Sequence, residues 1–307
     1  MTRAIRIMVT GAAGQVGVDL VDLLHGARVA GADPGFNPDA RPVETEEFEV
    51  LALTSHDLDV TDRDAVVGAL RSARPDVVVN LAAYTAVDRA QTEAERCYAV
   101  NATGPESLSL AAHEVGARLI TVSTDYVFDG TKGEPYVETD PTNPLNVYGA
   151  SKRAGEFACA DEDLIVRTSW VMGVRGRNVV HVIAERATSG SVVRFVDDQM
   201  GTVTAASDLA RSLVTLVRER PSGLWHVANQ SATTWYEIAT FVGGLLGRGD
   251  DFATAITTDE LTPAPLARRP ARSDLDTTKF ARAWMALPDW HDAVARLVRE
   301  RGGEVGA

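Results

Sequence analysis

Cysteine is scarce in this 307-residue chain, which has only Cys97 and Cys159. Both fall within helical patterns and neither has metal-ligand spacing, so they read as free thiols in a reducing cytoplasm. No apolar run is long enough to span a membrane. The opening MTRAIRIMVTGAAG has a basic start, but its apolar part is only about five residues, too short for a secretion signal. It reads as a first strand. Positive charge is also in short supply, with 30 Lys and Arg against 43 Asp and Glu and a net charge of −13. That balance excludes nucleic acid or an anionic membrane as a general partner. A phosphorylated ligand would have to meet locally gathered cations, and Lys152, Arg268, Arg269 and Arg272 are the candidates. What remains is ordinary globular composition, 45% hydrophobic and 24% charged, with length for one or two domains.

The pattern along the chain is strand, turn, helix, repeated. Ile5 to Val9 is β-rich and is followed by Gly11, Gly14 and Gly17 in G-x-x-G-x-x-G spacing. Val16, Leu20, Val21 and Leu24 then recur at helical intervals. Glycines between a first strand and a helix let a pyrophosphate approach the backbone, and the helix start offers free N–H groups to it. Gly31 to Glu47, rich in Pro, Gly and acids, interrupts the path to the second strand and reads as a solvated or partly disordered insertion.

Strands follow at Phe48–Leu53, Pro75–Asn80, Leu119–Ser123 and Leu164–Arg167. Helical patterns lie between them, including one from Ala86 to Ala112. At least five β-α alternations predict an α/β fold, a Rossmann-like doubly wound parallel sheet. Just past the second strand, Thr54-Ser55-His56 supplies no acid for a ribose 2′-hydroxyl, which leans towards NADPH over NADH. Asn101 is either a surface polar residue or a buried amide bracing the loops around it.

Thr124 and Asp125 fall at the carboxyl end of a strand, where ligands bind in such sheets. Tyr148 and Lys152 open the next helix and share one face. An ammonium beside a phenol favours the phenolate, so Tyr148 is expected to have a lowered pKa and to protonate a substrate oxygen, with the Thr124 hydroxyl bonding the same oxygen. After Val171 the pattern changes. A smaller C-terminal substrate-binding domain is expected from 173–202 and 230–307, with 1–172 and about 203–229 forming the NAD(P)-binding domain. In so acidic a chain, Arg268, Arg269 and Arg272 read as facing a phosphate.

With these residues in place, the chain resembles the dTDP-4-dehydrorhamnose reductase family of the extended short-chain dehydrogenase/reductases over nearly its whole length. The resemblance is carried by GQVG from Gly14, NLAAYTAVD from Asn80, STDYVFDG from Ser123, PLNVYGASKRAGE from Pro144, RTSWV from Arg167, DDQMG from Asp197, TTWYE from Thr233, ARRPARS from Ala267 and LPDW from Leu287. It implies a catalytic set of Thr124, Tyr148 and Lys152. It implies NADPH or NADH held along Gly11, Gly14, Gln15 and Val16, by Asp59 and Val60, by Ala82, Ala83, Tyr84 and Thr85, and by Tyr148 and Lys152.

Substrate contacts would come from Thr124, Asp125 and Trp170, with Arg268 and Arg269 on the phosphates of a dTDP-4-keto-6-deoxy sugar. The implied reaction is hydride transfer to C4 of dTDP-4-dehydro-L-rhamnose, with Tyr148 protonating the alkoxide and Lys152 holding the nicotinamide ribose. A related antibiotic-pathway ketoreductase, such as a dTDP-dihydrostreptose synthase, would keep the same set, whereas a non-catalytic regulatory subunit would not need it. Some relatives dimerise through magnesium. Asp19 and Glu300 stand at two of the matching places but Ser207 at a third, so no metal site is expected. The chain is expected to be a cytoplasmic monomer or homodimer.

Overall fold

The computed structural model of this chain describes residues 3–39, 41–44 and 46–304. Six parallel strands form the central sheet: β1 (Ile5–Thr10), β2 (Phe48–Leu53), β3 (Val77–Asn80), β4 (Arg118–Thr124), β5 (Leu164–Thr168) and β6 (Gly223–His226). Their order across the sheet is β6-β5-β4-β3-β1-β2. The chain leaves β1 towards one edge and resumes on its other side at β3, so a crevice opens above the β1–β3 boundary, the usual place for a ligand in such sheets. β3 is Val77-Val78-Val79-Asn80 and every residue in it is buried. A continuous apolar run is what a strand covered on both faces requires.

The helices start and stop on local signals. α1 (Gln15–Leu24) follows Gly14, which offers no side-chain cap. α2 (Arg63–Ala73) is capped by Asp62, whose carboxylate accepts the Ala65 N–H. α3 (Gly104–Val115) stops at Gly116, where φ is +77°, a conformation glycine adopts without a Cβ clash. The helical stretch predicted from Ala86 to Ala112 is broken into Val87–Ala90, Ala94–Tyr98 and a π-turn at Ala99–Thr103 before α3 begins. α4 (Val147–Ala158) is capped by Asn146, which accepts the Gly149 N–H at 2.8 Å.

The longer helices that follow are α5 (Val179–Thr188), α6 (Ala206–Glu219), α7 (Trp235–Leu245) and α8 (Trp290–Glu304), with a short helix at Thr278–Ala283 between the last two. α7 carries the expected capping box between Thr234 and Glu237. α1 and α6 pack on one face of the sheet, joining Leu20, Leu24, Leu209 and Leu213 to Val9, Val79 and Val166. α2 and α3 cover the other face through Val66, Leu70 and Leu108. A separate core gathers Val180, Ile183, Ile238, Val242, Phe252, Trp290 and Val294 from α5, α7, α8 and the strand pair Val193–Val196 with Ala253–Ile256.

The insertion from Gly31 to Glu47 is a built part of the fold, contrary to the solvated loop expected from its composition. Phe36 is buried in the main core. Arg218 of α6, itself buried, bonds both oxygens of Asp39, both of Glu47, and the carbonyls of Arg41 and Pro42. One guanidinium thereby satisfies the backbone and charge that the segment brings to the surface of α6. Ala40 and Thr45 of the insertion lie outside the described residues.

Candidate active site

A cleft of about 570 Å³ runs along the carboxyl ends of the strands. At one end lie Gly11, Gly14, Gln15 and Val16. At the other are Thr124, Tyr148, Lys152, Ser169 and Trp170, with Ala83 and Thr85 on the floor between them. Gly11 has φ +68°, and a Cβ there would sit 2.5 Å from the Leu81 backbone, so the turn folds tightly over β3 only with glycine. Gln15 does more than line the cleft. Its side-chain carbonyl accepts the Gly173 N–H at 2.8 Å and the Asn178 amide at 3.1 Å. This ties the strap 173–178, including Arg175 and Gly176 in the cleft wall, down onto the glycine turn.

The other end is assembled from β4 and α4. Gly149 allows the contact, since a Cβ there would lie 2.1 Å from the Tyr126 carbonyl oxygen. The helix therefore closes directly onto the turn after β4, bringing the Tyr148 ring edge-on to Tyr126 at 5.9 Å between centroids. Thr124 and Tyr148 line the same cleft. Lys152 is buried, with its Nζ donating to the Val122 carbonyl at 2.5 Å. Asp125 is buried too, accepting from Ser273 Oγ at 2.6 Å and from Thr124 Oγ1 at 3.0 Å.

Burial dominates the electrostatics. It pushes the Tyr148 phenol well above its ordinary value, and the nearby Asp125 carboxyl adds to the rise while the Thr124 hydrogen bond opposes it. The lowered phenol expected from the Tyr-Lys spacing is not found, because loss of water raises it and the Asp125 carboxyl raises it further. Lys152 is pushed down to about 8, also by burial, with Glu156 opposing. Asp125 is raised to about 7 by burial despite its two hydrogen bonds. At neutral pH the site therefore presents a protonated phenol one helical turn from a charged ammonium.

Several predicted residues fall elsewhere. Tyr84 points its hydroxyl to Glu93 at 2.8 Å, and Ala82, Asp59 and Val60 do not line the catalytic cleft. Asp59 instead accepts from the Thr61 N–H and hydroxyl, and Val60 is buried under Gly104. Asn101 is a buried brace: it accepts the Tyr84 N–H at 2.9 Å and donates to the Tyr84 carbonyl and to Ser151 Oγ, both at 3.0 Å.

The arginine cluster does not act as one patch. Arg272 is held by both oxygens of Asp274. Arg269 is clamped by Asp88 and lines a second cleft of about 600 Å³, beside Arg194, Phe195 and Trp235. Arg268 is exposed and lines neither of these clefts. Trp170 has φ +41° and stacks on Trp235 at 3.9 Å, so the two rings form a wall between the clefts.

Arg175 and Glu156 escaped the sequence reading. Nothing local marks Arg175, because its place depends on the strap folding back onto Gln15. Glu156 carried a usable signal: it continues the spacing of four from Tyr148 through Lys152, which puts all three on one helix face.

The glycine turn and the start of α1 suit a dinucleotide. A Cβ on Gly14 would meet nothing closer than the Gly11 carbonyl oxygen at 3.3 Å, and α1 has no side-chain cap competing for its first N–H groups. Asp19 is buried in α1, Ser207 donates to the Gly31 carbonyl, and Glu300 lies 3.5 Å from Arg28. Among the described residues no three His, Cys, Asp or Glu side chains gather into a metal site, and no helix is long and apolar enough to cross a membrane.

The family described as the RmlD substrate binding domain matches residues 40–302. A dTDP-4-dehydrorhamnose reductase from Streptomyces griseus is 38% identical, covering 98% of this chain and 95% of its own. A dTDP-4-keto-6-deoxy-D-glucose reductase from Streptomyces niveus is 37% identical over 86% of each chain. The crystal structure of dTDP-4-dehydrorhamnose reductase from Bacillus anthracis in complex with NADP superimposes with a TM-score of 0.84 at 30% identity, covering 97% of this chain and all of that one. The glycine turn, the shared cleft of Thr124, Tyr148 and Lys152 and these likenesses together make the chain a member of the dTDP-4-dehydrorhamnose reductase family of NAD(P)H-dependent oxidoreductases.

Proposed function

We propose that this protein reduces the C4 carbonyl of dTDP-4-dehydro-L-rhamnose to give dTDP-L-rhamnose, with Tyr148 as the proton donor. One observation carries the reading: Thr124, Tyr148 and Lys152 line one cleft together with the glycine turn. The names of the relatives support the nucleotide-sugar substrate.

Gly11, Gly14, Gln15 and Val16 would hold the pyrophosphate of the cofactor, and Tyr148 and Lys152 its nicotinamide ribose. When bound, NADPH or NADH supplies the hydride that adds to C4. Thr124 and Tyr148 orient the ketone oxygen by two hydrogen bonds, and these strengthen as negative charge grows on that oxygen. The Tyr148 proton then passes to it and completes the alcohol. The Lys152 ammonium stabilises the phenolate left behind, which solvent reprotonates. Trp170, braced by Trp235, walls the sugar. The body formed by α5, α7 and α8 provides the substrate-binding domain.

Purified protein given dTDP-4-dehydro-L-rhamnose should oxidise NADPH or NADH rapidly, and the two rates give the cofactor preference. The likeness to a reductase named for dTDP-4-keto-6-deoxy-D-glucose favours one second reading, another dTDP-4-keto-6-deoxy sugar. Slow oxidation with the rhamnose precursor and fast oxidation with that sugar would establish it. Oxidation with neither would leave a cofactor-binding protein without this activity.

A further inference from the structure

Behind the catalytic residues lies a group of buried charges that the reaction as described does not use. Glu156 follows Lys152 by one turn of α4, and its side chain is 6% exposed. Its carboxylate accepts Ser123 Oγ at 2.5 Å and takes Arg167 in a two-pronged pair, Nε at 2.8 Å and Nη2 at 2.6 Å. Ser123 and Arg167 are paired neighbours on β4 and β5, so the sheet presents both to the helix at one level. Arg167 also lies over the Phe128 ring at 5.0 Å.

Three consecutive residues of β4 thus meet three residues of α4 at intervals of four. The Val122 carbonyl takes Lys152, the Ser123 hydroxyl takes Glu156, and the Thr124 hydroxyl meets Tyr148. This arrangement fixes the helix against the strand. It also leaves a carboxylate as the nearest charge to the ammonium on its own helix face, with Arg167 approaching that carboxylate from the sheet.

Resting on the reductase reading, we propose that Glu156 is a positioning residue. Locked by Ser123 and Arg167, its carboxylate is the counter-charge that keeps the Lys152 ammonium charged and in register beneath the Tyr148 phenol. An isolated buried ammonium would shed its proton. The other titratable groups acting on Lys152 are Cys159 on α4 and Cys97 on the helix Ala94–Tyr98. Burial pushes the Cys159 thiol up to about 12, so it brings no charge to the site at neutral pH.

The test is the titration of Lys152 itself. The chain has three lysines, Lys132, Lys152 and Lys279, so lysine labelled with carbon-13 at Cε gives three signals, and Lys152→Arg identifies the one at the site. In Glu156→Gln the Lys152 midpoint should fall by about one pH unit or more, and the alkaline limb of kcat should fall with it. Glu156→Asp should retain most of the wild-type midpoint. A role in stability alone would lower Tm and leave the midpoint where it is. Should Glu156→Gln fail to fold because Arg167 is left unpaired, the carboxylate is isolated by comparing Arg167→Gln with the double variant Glu156→Gln/Arg167→Gln, and the double variant should have the lower midpoint of the two. An unmoved midpoint in a folded variant overturns the proposal. A wild type that reduces no 4-keto sugar sinks the reductase reading instead, and the titration tells the two failures apart.

Discussion

Arg269 is gripped by Asp88 through two parallel bonds, Nη1 to Oδ1 at 2.6 Å and Nη2 to Oδ2 at 2.7 Å. The two residues are 181 positions apart, one after β3 and the other in the C-terminal segment. The arginine holds the Asp88 carboxyl down to about 2, so the pair persists across the working pH range. Arg269 Nη1 also donates to the Ala267 carbonyl at 2.6 Å. Arg269→Ala should therefore raise the KM for the nucleotide-sugar by about tenfold, in line with loss of a charge-assisted contact, with little change in cofactor affinity. Arg268→Ala, at an exposed position, should change KM by less than about twofold. Equal effects in steady-state assays would contradict the different placement of the two arginines.

Tyr148→Phe removes the phenol proton that the proposed reaction uses and leaves the ring in place. Turnover should fall by about a thousandfold or more, within the range for loss of general acid catalysis. Cofactor affinity, followed by fluorescence titration, should stay within about threefold. Near-normal kcat would show that another group supplies the proton.

The rate should fall as pH rises through about 8, where Lys152 loses its proton. The sign follows from burial, which lowers a lysine by disfavouring its charged form, so the active protonated state occupies the acid side. A kcat profile from pH 6 to 10 checks this, and a flat profile to pH 10 would show that the ammonium charge is not needed. In the variant Lys152→Met the residual activity should lack that limb.

Asp125 leads to a stability prediction of its own. Its folded value of about 7 lies above the ordinary 3.8, so the native state binds more protons than the unfolded chain between those values. Its contribution is fully present below the ordinary carboxyl value and is lost as pH rises through about 7. Denaturant unfolding at pH 5 and pH 8 should show a smaller difference for Asp125→Asn than for wild type. An unchanged difference would mean that the buried carboxyl does not govern this window.

The wall formed by Trp170 depends on Gly201, where a Cβ would come within 2.7 Å of the Trp170 ring. Gly201→Ala should push the indole off its stack with Trp235. The expected result is a KM for the sugar raised several-fold, with cofactor binding intact. Tryptophan fluorescence should shift in the same variant. Unchanged fluorescence and KM would show that Trp170 is not held by this contact.

The alternation of strand and helix patterns was legible in the sequence because a sheet covered on both faces needs continuous apolar runs such as Val77-Val78-Val79. The glycine turn, the Tyr148 and Lys152 spacing, and the position of Thr124 at a strand end were legible for the same local reasons. Tertiary structure alone decided the sign of the Tyr148 shift, since burial sets it and no short stretch of sequence reports the water removed by the rest of the fold. It also decided which arginine is spoken for. Arg269 meets Asp88 and Arg218 meets Asp39 only after segments more than 170 residues apart come together. The insertion shows the same divide. Its composition is that of a loop, and it becomes part of the core because Phe36 finds an apolar bed and Arg218 satisfies its charges, neither of which is written within the segment itself.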